Sequence, residues 1–163
     1  MRLTLLAIFV SGSILHAQTS SDPWKKLDFL LGDWIGTGAK DNQLGPGQGA
    51  FSFNPELNQK IIVRHNNAHY DSGEQHDDLM VIYLDAPGDP PHAIYFDTEG
   101  HVIRYALSFP SAQRVVFESD GAAPGPRYRL TYWMEGPIMM GRFETASKPG
   151  EYNTYLAWSS KRR

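Results

Sequence analysis

Histidines are the side chains of this sequence best suited to chemistry near neutral pH. His65 and His69 lie four residues apart, and His76 follows after a short turn. Imidazole and carboxylate groups ligate zinc and iron. In an extended strand His65 and His69 share a face but lie about 13 Å apart, so one ion reaches both only if the strand bends. A site formed by His65, His69 and His76 stays open, but we expect no tightly bound transition metal because no compact motif such as H-E-x-x-H occurs.

Asp97 and His101 form a second candidate pair, at the two ends of the segment DTEGH. A carboxylate and an imidazole at this spacing can act as a general acid and base. The segment fits a tight turn better, because Asp97 can accept hydrogen bonds from turn amides and Gly100 can take the positive φ that closes a hairpin. We therefore expect a turn, with His101 beside a binding site.

Arginine and tyrosine side chains complete the candidate ligand contacts. Apolar residues occupy both faces of the segment before Arg64, which is the arginine we expect to face the interior. Arg104 and Arg129 are out of phase with their apolar neighbours and are predicted to face outward. Tyrosines suit a small-molecule pocket and suit an ordinary core equally well, so a hollow and a filled interior both stay open. The predicted ligand-binding residues are Arg64, His65, Tyr83, Tyr95, His101, Tyr105 and Tyr132.

Composition excludes several classes of function. The 163-residue chain has no cysteine, which excludes disulfides and thiolate chemistry. A formal net charge of −3 offers no basic field for a nucleic acid. The G-x-S-x-G segment of serine hydrolases does not occur. We therefore assign no catalytic residue and predict no cofactor, with haem or a metal ion as the alternative.

The sequence predicts about ten short strands, which must position these residues. After Gly32, runs rich in β-branched and aromatic residues alternate with Gly- and Pro-rich turns as far as Ser159. The connections are too short for crossover helices, so neighbouring strands are expected to pair antiparallel. Polar residues on both strand faces favour a barrel with a partly wet interior over a sandwich with a dry core.

A short helix is predicted before the first strand. Asp22 begins it as a capping residue and Gly32 ends it. Trp24, Leu27 and Leu31 recur at helical spacing over two or three turns. The predicted fold is therefore all-β: one antiparallel up-and-down barrel of about ten strands with a short N-terminal capping helix.

Residues 30–38, LLGDWIGTG, resemble the opening of calycin-type barrels. They are similar to the Gly-x-Trp signature of lipocalins and closer to the Gly-x-Trp-x-Gly-x-Gly pattern of nitrobindin-like proteins. Residues 78–83, 95–103 and 127–132 resemble an uncharacterised bacterial family of exported calycin-like proteins. The resemblance implies that Trp34 plugs one barrel end under the helix, while Gly36 and Gly38 let the first strand bend.

One feature of the nitrobindin-like pattern is missing. Those proteins resemble one another in a histidine near the C-terminus that ligates haem iron. Residues 155–163 of this chain contain no histidine. The resemblance therefore does not extend to haem binding.

The resemblance also implies a contact between the two chain ends. In lipocalin-like barrels a basic side chain near the last strand covers the first-strand tryptophan, and this chain ends in Lys161, Arg162 and Arg163. A closed barrel must pair its last strand with its first. We predict that Arg162 stacks on Trp34, because Arg163 is terminal and expected to fray.

The N-terminus predicts export. Arg2 is the only charged residue before Asp22, residues 3–10 are apolar, and Ala17 follows small residues as at a signal-peptide cleavage site. The apolar run is too short to span a bilayer as a helix, although an uncleaved anchor is the alternative. Residues 1–17 are predicted to be a signal peptide and residues 18–163 one soluble domain. The mature protein is expected in the periplasm or outside the cell, with no insertion into the membrane.

Three functions remain open. The preferred one is an exported binding protein for a small, partly apolar ligand. The second is an enzyme, or a metal- or haem-binding protein, that uses His65, His69, His76 or His101 in the barrel mouth. The third is a non-catalytic envelope or interaction protein with a filled barrel. No nucleic-acid partner is expected, and the sequence sets neither the ligand nor the oligomeric state.

Cleavage after Ala17 can be tested by measuring the mass of the exported protein. Protein recovered from the periplasm or the medium should begin at Gln18, because the small residue Ala17 completes the cleavage site. Intact-mass measurement of that material checks the result. A species that retains Met1 would contradict it.

Overall fold

The computed structural model describes residues 22–40, 47–122, 124–148 and 150–163. The predicted signal peptide, residues 1–17, lies outside the described residues, as do the residues that connect the first two strands. In the part of the chain that is described, no helix has the length and apolar character needed to cross a bilayer.

Ten strands form one closed antiparallel barrel, which confirms the predicted all-β class and strand number. Each strand pairs with the next along the chain, and the last strand pairs with the first. The strands are β1 Gly32–Lys40, β2 Gly47–Glu56, β3 Ile61–Tyr70, β4 Gln75–Tyr83, β5 His92–Asp97, β6 Val102–Ser111, β7 Arg114–Ser119, β8 Arg127–Glu135, β9 Ile138–Ala146 and β10 Asn153–Arg162.

Alternation along the strands decides which side chains face the interior. In β6, Ile103, Tyr105 and Leu107 are buried, whereas Arg104 is exposed. Successive side chains of a strand point to opposite faces, so one buried set fixes the orientation of the whole strand. Arg104 therefore faces outward as predicted, and Arg129 lies outside as well, paired with Glu144.

The predicted N-terminal capping helix is not seen as an α-helix. Of the described residues, only the six from Lys25 to Leu30 are helical, and they form a 3₁₀ helix. Its two fully buried residues, Leu27 and Leu30, are three apart, which matches the three residues per turn of this helix type. The chain then enters β1 at Gly32, whose φ of +109° turns it away from the helix axis. The spacing of the apolar residues predicted an α-helix, and this prediction is wrong because the segment has the period of a 3₁₀ helix.

Trp34 closes the barrel end that this helix covers. Its indole Nε1 donates a hydrogen bond to the Leu30 carbonyl at 2.8 Å. The Arg162 guanidinium lies over the indole with its central carbon 4.5 Å from the ring centroid, as the sequence predicts, and donates to the Leu31 carbonyl. Gly32 has φ of +109°, which strains any other residue, and a Cβ there would also displace the Arg162 Nη1, 2.6 Å away. The helix, β1 and β10 are therefore joined at one point.

Aromatic residues fill the adjoining part of the barrel. Tyr132 is fully buried and makes edge-to-face contacts with Phe53 at 5.5 Å and with Phe117 at 6.2 Å between ring centroids. Phe51 lies 5.9 Å from Tyr132 and 6.4 Å from Trp34, so it connects this layer to the plug. The hydrophobic core thus occupies the end of the barrel next to the 3₁₀ helix.

Replacing Arg162 with alanine should destabilise the protein. The variant loses a cation–π contact worth roughly 0.5–2 kcal/mol and a hydrogen bond to the Leu31 carbonyl. We expect the melting temperature, measured by circular dichroism, to fall by several degrees.

Arg163→Ala is the matched control. Arg163 is not frayed as expected, because its backbone N–H donates to the Asp33 carbonyl at 2.9 Å. Alanine keeps that bond and removes only an exposed side chain, so the melting temperature should hardly change. Equal effects of the two variants would contradict a role for the Arg162 side chain in closure.

Candidate functional site

An open cavity of about 580 Å³ occupies the barrel end away from the 3₁₀ helix. This volume lies in the range of typical small-molecule pockets. Most of its wall is apolar and aromatic, and its floor and one side are polar. The aromatic wall residues are Phe51, Tyr70, Tyr95, Tyr105, Tyr128, Phe143, Tyr155 and Trp158.

Glycines on β1 and β2 leave space along one side of the cavity. Gly36, Gly38, Gly47 and Gly49 all lie on its wall. The register between β1 and β10 shifts between Gly36 and Gly38, so the strand is irregular where the sequence predicts a bend. A Cβ on Gly36 would come within 3.2 Å of the Gly49 carbonyl oxygen. Small residues here widen the cavity and let the two strands approach closely.

A buried ion pair lies at the floor of the cavity. The Arg64 guanidinium donates to the Asp78 carboxylate, and the two residues are 5% and 8% exposed. Asn66 donates a second hydrogen bond to Asp78 at 2.9 Å. The guanidinium also lies 5.5 Å from the centroid of the Phe51 ring. Because the positive charge is matched by a carboxylate and an aromatic face, Arg64 can remain buried.

His76 links this ion pair to the cavity mouth. Its Nε2 lies 3.3 Å from the Asp78 carboxylate and 3.0 Å from the Tyr95 hydroxyl, while its Nδ1 lies 3.0 Å from Glu99. The hydrogen bond to Asp78, aided by the one to Glu99 and opposed by partial burial, raises the pKa of His76 to about 9. His76 is therefore an imidazolium at neutral pH, with both N–H groups engaged.

The tyrosines around this network stay neutral. Burial is the largest cause of the raised pKa of Tyr95 and of Tyr105, and nearby carboxylates such as Asp78 add to it. Burial also raises the pKa of Tyr132, to about 12. Their hydroxyls therefore act as hydrogen-bonding groups and not as bases.

Asp97 and His101 form the turn at the mouth. The Gly100 amide donates to the Asp97 carbonyl at 3.1 Å, and Gly100 has φ of +87°. Burial favours a higher pKa for Asp97, but hydrogen bonds from the His101 amide and ring leave that pKa below its ordinary value. The turn interpretation of this segment is correct, and both side chains also line the cavity.

The described histidines do not form the metal site that the sequence left open. His65 and His69 are exposed on the outer face of β3, whereas His76 lies on β4 and faces the barrel interior. A different group, His76, Asp97 and Glu99, has ligand atoms within 4.8 Å of one another. Because metal ligation requires a neutral imidazole, the raised pKa of His76 opposes a metal there at neutral pH.

The other predicted ligand contacts divide between the cavity, the core and the surface. Arg64, Tyr95, His101 and Tyr105 line the cavity. Tyr132 lies in the aromatic layer beneath it. Tyr83 lies on the outer face of β4, where its ring packs 6.1 Å from that of His92. The inner face of β4 is set by Asp78, Met80 and Ile82, which excludes Tyr83.

Sequence reasoning missed the polar core of the site. Asp78, Asn66 and Ser160 are inward-facing and were not singled out. Asp78 alternates in phase with Met80 and Ile82, which are both fully buried. That alternation is a signal for an inward-facing carboxylate in need of a partner. Nothing comparable marks Ser160, since it follows Trp158 and Ser159 without a clear apolar phase.

The described residues lack the C-terminal histidine that ligates haem iron in the nitrobindin-like pattern. Strand β10 contains no histidine. Of the described histidines, His76 and His101 line the cavity. Both ring nitrogens of His76 contact carboxylates or Tyr95, and His101 holds Asp97 through Nδ1 at 2.8 Å. Iron ligation by His76 would therefore break its contacts with the polar network at the cavity floor.

Fold and site together define a small antiparallel β-barrel that is filled at one end and hollow at the other. No protein-family model matches the chain, and no curated protein matches it. Among solved structures, the chain is similar to the crystal structure of Rv2717c from M. tuberculosis, with a TM-score of 0.61 and 12% sequence identity. The match covers 86% of this chain and 97% of the other. It shows a shared barrel fold.

His76 should make the stability of the protein depend on pH. Its pKa is about 9 in the folded barrel and near 6.5 as an ordinary histidine, so its stabilising effect is complete below pH 6.5 and is lost as pH rises through 9. Partial exposure reduces the effect, and we expect wild type to lose roughly 1–3 kcal/mol of unfolding free energy over this window. Urea unfolding at a series of pH values measures it.

Two variants isolate the contribution of His76. His76→Gln should remove most of that slope, because glutamine hydrogen bonds without gaining charge. His69→Gln alters an exposed histidine on the outer face of β3 and should leave the slope in place. A slope that is the same in wild type and His76→Gln would show that the imidazolium does not stabilise the fold.

Proposed function

We propose that this protein binds a small, partly apolar molecule inside its barrel. The observation that carries the proposal is the open cavity of about 580 Å³. A structural barrel needs only to fill its interior, and this interior is filled next to Trp34 alone. Aromatic walls supply apolar contact area, and a few fixed polar groups at the floor orient a ligand.

The proposal favours binding over catalysis. Three ion pairs of the cavity engage its described histidines and its arginine: Arg64 with Asp78, His76 with Glu99, and His101 with Asp97. A general base needs an unprotonated nitrogen or oxygen directed at the substrate. The charged His76 and the paired carboxylates are better suited to hold the shape and polarity of a pocket.

The envelope or interaction protein with a filled barrel is the weaker alternative. It requires side chains to occupy the interior, yet an open cavity of about 580 Å³ remains there. Four glycines, which contribute no side chain, lie on its wall.

The proposal also includes a place among calycin-like barrels and a location outside the cytoplasm. The Gly32-x-Trp34 segment, the plug under the 3₁₀ helix and the covering Arg162 support a place among calycin-like barrels. The charge, apolar run and small residues of residues 1–17 support export to the periplasm or beyond. The mature barrel would then meet its ligand outside the cytoplasm.

A substitution that fills the cavity tests the proposal. Ala68 lies on the cavity wall, and Ala68→Phe directs a ring into the space a ligand would use. Binding of the neutral fluorescent probe N-phenyl-1-naphthylamine is measured by its emission. We expect the dissociation constant of the probe to rise at least about tenfold, which corresponds to a loss of roughly 1.4 kcal/mol.

Ala106→Phe is the matched control, because Ala106 is exposed on the outer face of β6. It adds the same apolar ring and should leave probe affinity unchanged. If the probe does not bind wild type, or binds both variants equally well, the cavity is not its site and the proposal is wrong.

A further inference from the structure

Two polar atoms of residues that line the cavity have no hydrogen-bond partner among the described residues. They are the Arg64 Nε and the Ser160 Oγ. Ser160 is fully buried, and Arg64 is 5% exposed. Buried polar groups in folded proteins are nearly always paired, so unpaired ones need an explanation.

These atoms lie at the cavity floor, because Arg64 and Ser160 both line the cavity. Tyr132 lies beneath them and packs against Phe51, over which the Arg64 guanidinium also lies. Both unpaired groups can donate a hydrogen bond, and the Arg64 Nε–H can only donate. The floor therefore offers donors to an acceptor that enters from the cavity.

The charges around the floor are already balanced. Arg64 is paired with Asp78, and His76 is held between Asp78 and Glu99. Two positive groups thus face two carboxylates. Asp97, at the mouth, adds a third carboxylate, held by His101. An anionic ligand would have to pass the carboxylates at the mouth to reach Arg64, whose charge is already matched by Asp78. A cationic ligand would leave the donors at the floor without an acceptor.

We propose that the ligand is an uncharged amphiphile that presents a carbonyl or hydroxyl oxygen to the donors at the floor. The inference rests on the proposed function, because it assigns a chemical class to the molecule in the same cavity. The oxygen accepts hydrogen bonds from the Ser160 hydroxyl and the Arg64 Nε–H, which belong to residues that line the cavity. The apolar part of the ligand lies against the aromatic wall above.

A series of ten-carbon compounds with different polar ends tests the preference. Wild-type protein is loaded with N-phenyl-1-naphthylamine, which is then displaced by 2-decanone, 1-decanol, decanoate or decylamine. We expect the ketone and the alcohol to displace the probe at concentrations at least about tenfold lower than the two ions. Equal or stronger displacement by decanoate or decylamine overturns the inference.

The outcomes separate this inference from the proposed function. If the probe binds wild type and is blocked by Ala68→Phe, but none of the four compounds displaces it, only the ligand class is overturned. If the probe does not bind wild type, both claims fall.

Ser160→Ala tests the role of the floor donors. It removes a hydroxyl that makes no hydrogen bond to a described residue, so the empty barrel should be as stable as wild type or more stable. The affinity for 2-decanone should fall about five- to tenfold, because the bound oxygen loses a donor. A destabilised variant with unchanged affinity would show that the hydroxyl is structural and would overturn its assignment.

Tyr152→Phe is the matched control. The Tyr152 hydroxyl donates to Glu118 at 2.8 Å on the outer surface of the barrel. Removing it deletes a hydrogen bond far from the floor donors, so 2-decanone affinity should be unchanged. A loss of affinity equal to that of Ser160→Ala would contradict the location of the donors at the cavity floor.

Discussion

The buried pair of Arg64 and Asp78 is the constraint on which the interior of this barrel depends. Removing two charges from water is costly, and the pair is tolerated only where both are matched and hydrogen-bonded. Asn66 and His76 complete the bonding of the carboxylate, while the Phe51 ring covers the guanidinium. The pair marks the boundary between the apolar core and the open cavity. Its balanced charge gives the cavity a polar floor without a free ion.

Closure of the barrel at its filled end holds the residues beneath the Arg64–Asp78 pair in place. Trp34, the Leu30 carbonyl and Arg162 join the chain ends at the filled end, and Phe51 connects that plug to Arg64. Because the hydrophobic core lies at the filled end, side chains are needed only at that end to exclude water from it. The other end is therefore free to remain hollow, with glycines along its wall. A stable fold and an accessible cavity thus coexist in a chain of this size.

The sequence predicted the barrel well because closure and pairing leave local signals. Turn residues separate ten strands, and the Gly32-x-Trp34 segment locates the plug. Side-chain direction was harder, since the segments ending at Arg64 and at Tyr83 are apolar on both faces. His65 and Tyr83 were therefore assigned to the wrong side of the wall. The contact of His76 with Asp78 depends on two positions within β4 and on the neighbouring strands, which no local pattern encodes.

The most direct measurement of the central claim, a ligand-binding cavity above a balanced polar floor, is native mass spectrometry of protein purified from its own host. The account predicts a bound, uncharged small molecule in wild type that dissociates on mild activation and is missing from Ala68→Phe, whose added ring occupies the cavity. Ala106→Phe, altered on the outer face, should retain it. Wild-type protein at its bare mass, or a molecule held equally by both variants, would contradict the account.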